Sequence, residues 1–145
     1  MEILSKPTVY AIRALLYLVA REKENDFVSI REMATELDIS FHFLTKILQK
    51  LSEKGIVQSS RGATGGIILK RSPASIRIAE IVSVIEGPQF FDKCLLGLPG
   101  CGSKKPCPMH EFWKETKSSI KQMLETTTLK EMGRQTKIKK LRLVP

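Results

Sequence analysis

Three cysteines and one histidine form the group of residues with the clearest chemical capability in this sequence. They follow the spacing C-x6-C-x5-C-x2-H, at Cys94, Cys101, Cys107 and His110. Cysteine thiolates bind iron and zinc strongly, and histidine nitrogen is an accepted companion ligand. Because thiols stay reduced in the cytoplasm, such a cluster in an intracellular protein indicates a metal or redox site rather than a disulfide framework.

The residues between the cysteines predict an irregular loop. Glycine and proline disfavour both helix and strand, and they recur at Gly97, Pro99, Gly100, Gly102 and Pro106. We therefore expect the loop to need a metal in order to become ordered. The residues alone leave four kinds of site open: an iron–sulfur cluster, a structural zinc, a metal-free thiol–disulfide sensor, and a loop that binds nothing.

The elements before this loop are predicted to be three helices in succession. Residues 8–21 have apolar side chains at helical spacing. Ser29, with Glu32 three positions later, forms a capping box for a short second helix. Ser40 caps a third helix that runs to about Lys54, and Gly55 ends it.

A hairpin follows these helices. Two short β-prone runs, 56–57 and 67–69, enclose the turn-rich segment SSRGATGG. Three helices and a glycine-rich hairpin in this order form a winged helix-turn-helix. The predicted fold class is therefore mainly α with a small β-hairpin wing and one long additional helix.

The remaining chain divides into further units. An amphipathic helix at 76–85 stops at Gly87-Pro88, and 129–132 is predicted to add one turn after the long helix. The predicted units are a winged helix-turn-helix at 1–87, a cluster-binding cysteine loop at 88–107, a dimerisation helix at 108–133 and a basic tail at 134–145.

The third helix has a polar face suited to DNA. His42, Thr45, Lys46 and Gln49 recur at helical spacing opposite an apolar stripe. Side chains of these types bind base edges and phosphates in a major groove, and Ser40 lies at the start of the same helix. The alternative for any one of them is a solvated helix residue.

The wing and the surrounding charge favour the same partner. Arg61 lies in the glycine-rich hairpin, where an arginine can enter a minor groove. The net charge is +9, and residues 40–71 contain six basic side chains against Glu53 alone. The first apolar run, 9–20, contains Arg13 and is too short to span a membrane, so we expect a cytoplasmic protein with no membrane partner.

These segments together resemble a known family. KPTVYAIRALLYLVA, ISFHFLTKILQKLSEKGIV and the RGATGG wing are similar to the Rrf2 family of bacterial regulators, and the cysteine loop resembles its iron–sulfur branch. The resemblance covers residues 1–133. It implies a homodimer that binds a double-stranded DNA operator, with base contacts from His42, Thr45 and Lys46 and a wing contact from Arg61.

The resemblance also implies a ligand set. In IscR-like members a histidine three residues after the last cysteine is the fourth ligand, and His110 matches it. In NsrR-like members an aspartate in the first helix takes that role, and its position falls on Val9, which cannot ligate. The resemblance therefore favours a three-Cys, one-His site for a 2Fe–2S cluster over a 4Fe–4S cluster.

The helix after the cysteine loop has an apolar stripe between lysines. Trp113, Ile120, Met123 and Leu124, with Phe112 nearby, are predicted to pack against a partner subunit, with packing on the first helix as the alternative. The tail from Arg134 is basic and is predicted to be solvated, although it could touch DNA.

Two rival functions remain at this stage. One is a metal-free or zinc-containing winged-helix regulator. The other is a small iron–sulfur redox protein, which is disfavoured because the sequence has no second cofactor motif and no acid–base pair, while a full winged helix is present. We therefore expect a transcription regulator, not an enzyme.

Overall fold

The computed structural model describes residues 2–21 and 25–145. Met1 and residues 22–24, which belong to the predicted winged-helix unit, lie outside the described residues. The elements are α1 (Lys6–Ala20), α2 (Ile30–Leu37), α3 (Phe41–Glu53), β1 (Val57–Ser60), β2 (Gly66–Leu69), α4 (Ile78–Glu86), α5 (His110–Thr126) and α6 (Leu129–Ile138), with 3₁₀ turns at Pro73–Ser75 and Phe90–Asp92. The predicted fold class is confirmed.

Local capping chemistry sets the ends of the helix-turn-helix. The Ser29 hydroxyl accepts the Glu32 N–H at 3.4 Å, as the capping box predicts. After α3, Gly55 has φ +71, and the N–H groups of Gly55 and Ile56 bond carbonyls of the last turn at 3.0 Å. Ser40 occupies the N-cap position of α3, but its hydroxyl accepts no capping hydrogen bond within the described chain.

The wing is an antiparallel pair, β1 against β2, that is longer than the sequence predicts. Ser60 pairs with Gly66, so only 61–65 form the loop. Val28 adds a bridge to Ile67, with both backbone bonds at 2.8 Å. Gly66 must be glycine because a Cβ there would collide with the Val28 backbone. The wing is therefore fixed to the segment that leads into α2.

The core is built around α1 and α3. The predicted stripe of α3 is buried, at Leu44, Ile47, Leu48 and Leu51. Opposite it, α1 buries residues along most of its length, and α4 contributes Ile78, Ile81 and Val82. No helix within the described residues is both long and apolar enough to cross a membrane.

The last helix is longer than the single turn predicted for 129–132. α6 runs to Ile138 and packs along α1, so Arg134 is helical rather than part of a tail. Gly133 permits this contact because a Cβ there would meet the Val19 side chain. A glycine weakens an isolated helix by about 1 kcal/mol relative to alanine, and the close packing compensates for that cost.

The apolar stripe predicted on α5 is partly packed against the rest of the chain and partly exposed to solvent. Leu124 is buried, Ile120 packs partly against the core, and α5 lies mainly on α4 rather than on α1. Trp113 is half-buried. The exposed apolar side chains of α5 are Phe112 and Met123, which are 73% and 56% accessible.

Candidate functional site

The three cysteines predicted as ligands lie together. Their Sγ atoms are all within 4.8 Å of one another, and those of Cys94 and Cys107 are 3.6 Å apart. Two thiolates about 2.3 Å from one tetrahedral metal are separated by roughly 3.8 Å. Cys94 and Cys107 therefore have the spacing of ligands that share a metal, and Cys101 is close enough to join them.

His110 lies beside the three thiols but is not part of the group whose atoms are all within 4.8 Å of one another. Its Nδ1 atom is 3.5 Å from the Cys101 Sγ atom, and it is the first residue of α5. Its N–H bonds the Cys107 carbonyl at 3.0 Å. The sequence-predicted Cys107–His110 pair is thus held by the turn that leads into α5.

Tight turns give the cysteine loop its shape. Gly97 and Gly100 both have φ +68, a conformation that residues other than glycine rarely adopt. The Gly97 N–H returns to the Cys94 carbonyl at 3.1 Å, which closes the first turn. The Trp113 indole N–H donates to the Lys93 carbonyl at 3.0 Å and ties α5 to the start of the loop.

The environments of the thiols move their pKa values in opposite directions. Backbone N–H donation from Leu98, with a smaller contribution from Leu96, lowers the pKa of Cys94 to about 7. A backbone N–H at Cys107 acts to lower the pKa of Cys101, but desolvation and the neighbouring thiols outweigh it and raise that pKa. Cys94 is therefore the more readily ionised of these two thiols.

A cavity of about 40 Å³ lies between the thiols and α5. Its walls include the cysteines, His110 and Trp113, together with Asp92, Lys114 and Lys117. The last three were not singled out from the sequence. The periodicity of α5 could have revealed the lysines, which lie one turn or two turns after His110, and Asp92 is a carboxylate two residues before the first cysteine.

The predicted DNA-reading residues share the outer face of α3. Ser40, His42, Lys46 and Gln49 are exposed. Thr45 is half-buried, and its hydroxyl donates to the Phe41 carbonyl at 2.8 Å. Its side chain therefore presents a methyl group and a hydroxyl oxygen that can still accept a hydrogen bond.

One residue near this face was missed by sequence reasoning. Arg31, in the first turn of α2, stacks over the Phe41 ring with its guanidinium carbon 4.5 Å from the ring centroid. Its position two residues after the helix-capping Ser29 was the feature of the sequence that could have identified it.

The wing lies beside α3 across an open cleft of about 530 Å³. Thr45 and Gln49 line one side and Ser59 of β1 lines the other, with Glu53 at the same cleft. Arg61 is exposed at the first loop position of the wing and is not part of this lining.

A polar contact joins the start of α1 to the end of α4, just before the cysteine loop. The Glu86 carboxylate accepts the Ser5 N–H at 2.8 Å and the Thr8 hydroxyl at 2.7 Å. Burial acts to raise the pKa of Glu86, but these hydrogen bonds outweigh it and hold the pKa below its ordinary value. The carboxylate also satisfies a backbone donor that α1 leaves unpaired at its N-terminus.

Comparison with known proteins gives a consistent family. A model described as "Rrf2: Iron-dependent Transcriptional regulator" matches residues 4–135. An HTH-type transcriptional regulator of Aquifex aeolicus is 33% identical over 132 residues, covering 90% of each chain. The HTH-type transcriptional regulator IscR of Klebsiella pneumoniae is 28% identical over 123 residues, covering 85% of this chain and 74% of the relative.

Solved structures agree with this assignment. CymR of B. subtilis, described as a global cysteine regulator, has a TM-score of 0.76 at 26% identity, covering 92% of this chain and 98% of the other. T. potens IscR has a TM-score of 0.76 at 27% identity, covering 98% and 93%. These relatives are transcriptional regulators, not enzymes.

The different thiol environments predict an order of chemical modification. In metal-free protein, about half of Cys94 is thiolate near pH 7, whereas Cys101 is almost wholly protonated. A less basic thiolate is also less nucleophilic, so we expect Cys94 to be alkylated faster than Cys101 at neutral pH, but by less than the difference in ionisation alone would give. Peptide mass spectrometry after brief iodoacetamide treatment should show Cys94 labelling level off above about pH 8 while Cys101 labelling still rises. Equal rates at neutral pH would contradict these pKa directions.

Proposed function

The chain belongs to the Rrf2 family of transcriptional regulators and is similar in type to IscR, and on that premise we propose that it is a homodimeric sensor whose operator affinity is set by an iron–sulfur cluster. The observation that carries the proposal is the close grouping of three thiols in a protein with a winged helix-turn-helix. A DNA-binding regulator of this kind acts in the cytoplasm.

The donor set fits an iron–sulfur cluster. Cys94, Cys101 and Cys107 would supply three thiolates, and His110 would supply the fourth ligand through its imidazole. One neutral ligand makes the site less negative than four thiolates would, which raises the reduction potential of the cluster. We propose the 2Fe–2S type because the resemblance to IscR-like members implies it. When bound, such a cluster supplies a centre that responds to iron supply, oxidants or nitric oxide. The lysines at the cavity wall, on α5, would offset thiolate charge.

DNA recognition is proposed for the outer face of α3 and for the wing. The N-terminal part of α3 would enter a major groove, where His42, Lys46 and Gln49 would reach base edges or phosphates. Their exposure supports this role, as does the cleft between α3 and β1. Arg61 would contact the adjacent minor groove.

A dimer contact is proposed for the outward face of α5. Phe112, Thr116, Ser119 and Met123 follow a 4-3-4 spacing, which places them on one side of the helix. The Thr116 and Ser119 hydroxyls donate to helix carbonyls at 3.4 and 3.1 Å, so their polar groups need no partner across an interface. Trp113 and Ile120, which the sequence also predicts for the interface, are half-buried and contact their own chain as well.

Sensing requires a physical connection between loop and DNA-reading elements. The loop begins a few residues after α4, whose Glu86 carboxylate holds the start of α1, and α1 packs on α3. We propose that ligand-dependent order in the loop shifts this contact and the relative tilt of the two recognition helices in the dimer. Binding of DNA and of the cluster must then affect each other equally.

The first prediction of this proposal concerns the ligands. Cys94→Ala, Cys101→Ala and Cys107→Ala should each lose visible absorption and iron, while circular dichroism shows that the winged helix stays folded. The anaerobically purified parent should contain about two iron atoms per chain. Lys104→Ala, in the same loop, is the control.

His110 is the decisive position of this set. His110→Ala should lose iron or change its spectrum, and His110→Cys should lower the reduction potential. An unchanged spectrum and full iron content in His110→Ala would remove histidine from the ligand set and direct attention to Asp92. Zinc without iron in the parent would contradict the cluster and leave the DNA-binding proposal standing.

The second prediction concerns the wing. Arg61→Ala should weaken binding to DNA from upstream of the protein's own gene by about 1–3 kcal/mol, because alanine cannot reach into the groove. Electrophoretic mobility shifts would measure the change. Arg77→Ala, an exposed arginine at the start of α4, is the matched control. Equal affinities for Arg61→Ala and the parent would show that the wing is assigned incorrectly.

The third prediction concerns assembly. Met123→Asp would bury a carboxylate in the proposed interface at a cost of several kcal/mol, so the dimer should dissociate. Ser118→Asp adds the same charge on another side of α5 and should leave the dimer intact. Sedimentation velocity at micromolar concentration separates the outcomes. A tight dimer in Met123→Asp would place the interface elsewhere.

A further inference from the structure

The segment after α6 is anchored at Leu143, while its other side chains are exposed. The Arg13 guanidinium holds it by donating through Nε to the Leu143 carbonyl. Leu143 is half-buried and packs against the core, and the Leu141 N–H bonds the Thr136 carbonyl at 3.0 Å. Residues 139–145 therefore form a defined surface on the winged-helix domain.

The same guanidinium reaches the helix-turn-helix. Arg13 Nη2 donates to the Leu37 carbonyl at 2.6 Å, and Leu37 is the last residue of α2. One planar side chain thus connects the tail with the turn that leads directly into α3. Because the two carbonyls share one guanidinium, the tail backbone lies within a few ångströms of that turn.

The charge of this surface is positive. Lys139, Lys140 and Arg142 are exposed, and the chain from Arg134 onward contains no acidic residue. The turn itself contributes one acidic side chain, Asp38, and the last turn of α2 contributes Glu36. Three flexible cations outnumber these two carboxylates beside the proposed DNA-reading helix.

We propose that Lys139, Lys140 and Arg142 form a basic ledge that binds the phosphate backbone of duplex DNA next to the groove entered by α3. This inference rests on the proposed DNA-binding function and extends its contact surface. Phosphate contacts carry no sequence information but fix the register of the protein on the duplex. Because the tail is already held in place, less conformational entropy is lost when it binds DNA.

The experiment uses sequence-independent binding, so it needs no operator. The probe is a fluorescent duplex of roughly 30 base pairs of mixed sequence, titrated with full-length protein between about 50 and 200 mM salt. The test variant is Lys139→Gln/Lys140→Gln/Arg142→Gln. For each phosphate that the variant no longer neutralises, the slope of log affinity against log salt should fall by about 0.9, and affinity at about 0.1 M salt should fall roughly five- to tenfold.

Two further variants make the result specific. Arg77→Gln/Lys121→Gln/Lys130→Gln removes the same charge from the start of α4, from α5 and from the start of α6, and it should keep the parent's slope. Arg13→Lys keeps the charge but lacks the planar fork that aligns both carbonyls, so it should loosen the tail and reduce the slope in part. If Arg13→Lys unfolds at a lower temperature than the parent, the triple variant of the tail alone tests the ledge.

The outcomes separate the ledge from the proposed function. A parent-like slope in the tail variant, with weaker binding in Arg61→Ala, overturns the ledge and leaves the regulator intact. Equal reductions in the tail and control variants also overturn it, because they reflect net charge only. A parent that binds no duplex at all contradicts the DNA-binding proposal and the ledge with it.

Discussion

The burial of α1 on several sides is the constraint on which the other elements depend. It packs against α2 and α3 of the helix-turn-helix, against α4 before the cysteine loop, and against α6 at the end of the chain. Its buried side chains leave little freedom for any of these elements to move alone, because protein interiors are close-packed and transmit displacement. A change at the α1–α4 contact therefore has a direct route to α3, the proposed DNA-reading helix.

Two polar contacts fix the orientation of α1. Near its start, the Glu86 carboxylate binds Ser5 and Thr8, which couples α1 to the residues that precede the cysteines. Near its middle, Arg13 binds carbonyls of Leu37 and Leu143. Apolar packing supplies most of the stability but has little directional preference, whereas hydrogen bonds fix register. The cysteine loop and the helix-turn-helix are thus attached to different parts of one rigid element.

The cysteine loop is stabilised differently from the domain beside it. Its leucines, Leu95, Leu96 and Leu98, remain about half accessible, so burial contributes little to its order. Turns at Gly97 and Gly100 and the bond from Trp113 to Lys93 shape it instead. A segment held by few apolar contacts responds readily to the gain or loss of a ligand, which suits the sensing role proposed for it.

The sequence alone determined the features that depend on neighbouring residues. Capping at Ser29, the left-handed turn at Gly55 and the apolar stripe of α3 follow from interactions within a few positions of the chain. The spacing of the cysteines likewise identified the candidate site before its geometry was known. The extra length of α6 depended on the close contact between Gly133 and Val19, which lies more than a hundred positions earlier in the chain. The docking of the tail on Arg13, the bond of Trp113 to the Lys93 carbonyl and the packing of Ile120 against the core were also decided by tertiary structure. Capping and periodicity act through the local backbone, whereas which face of a helix is covered depends on distant segments that only the folded chain brings together.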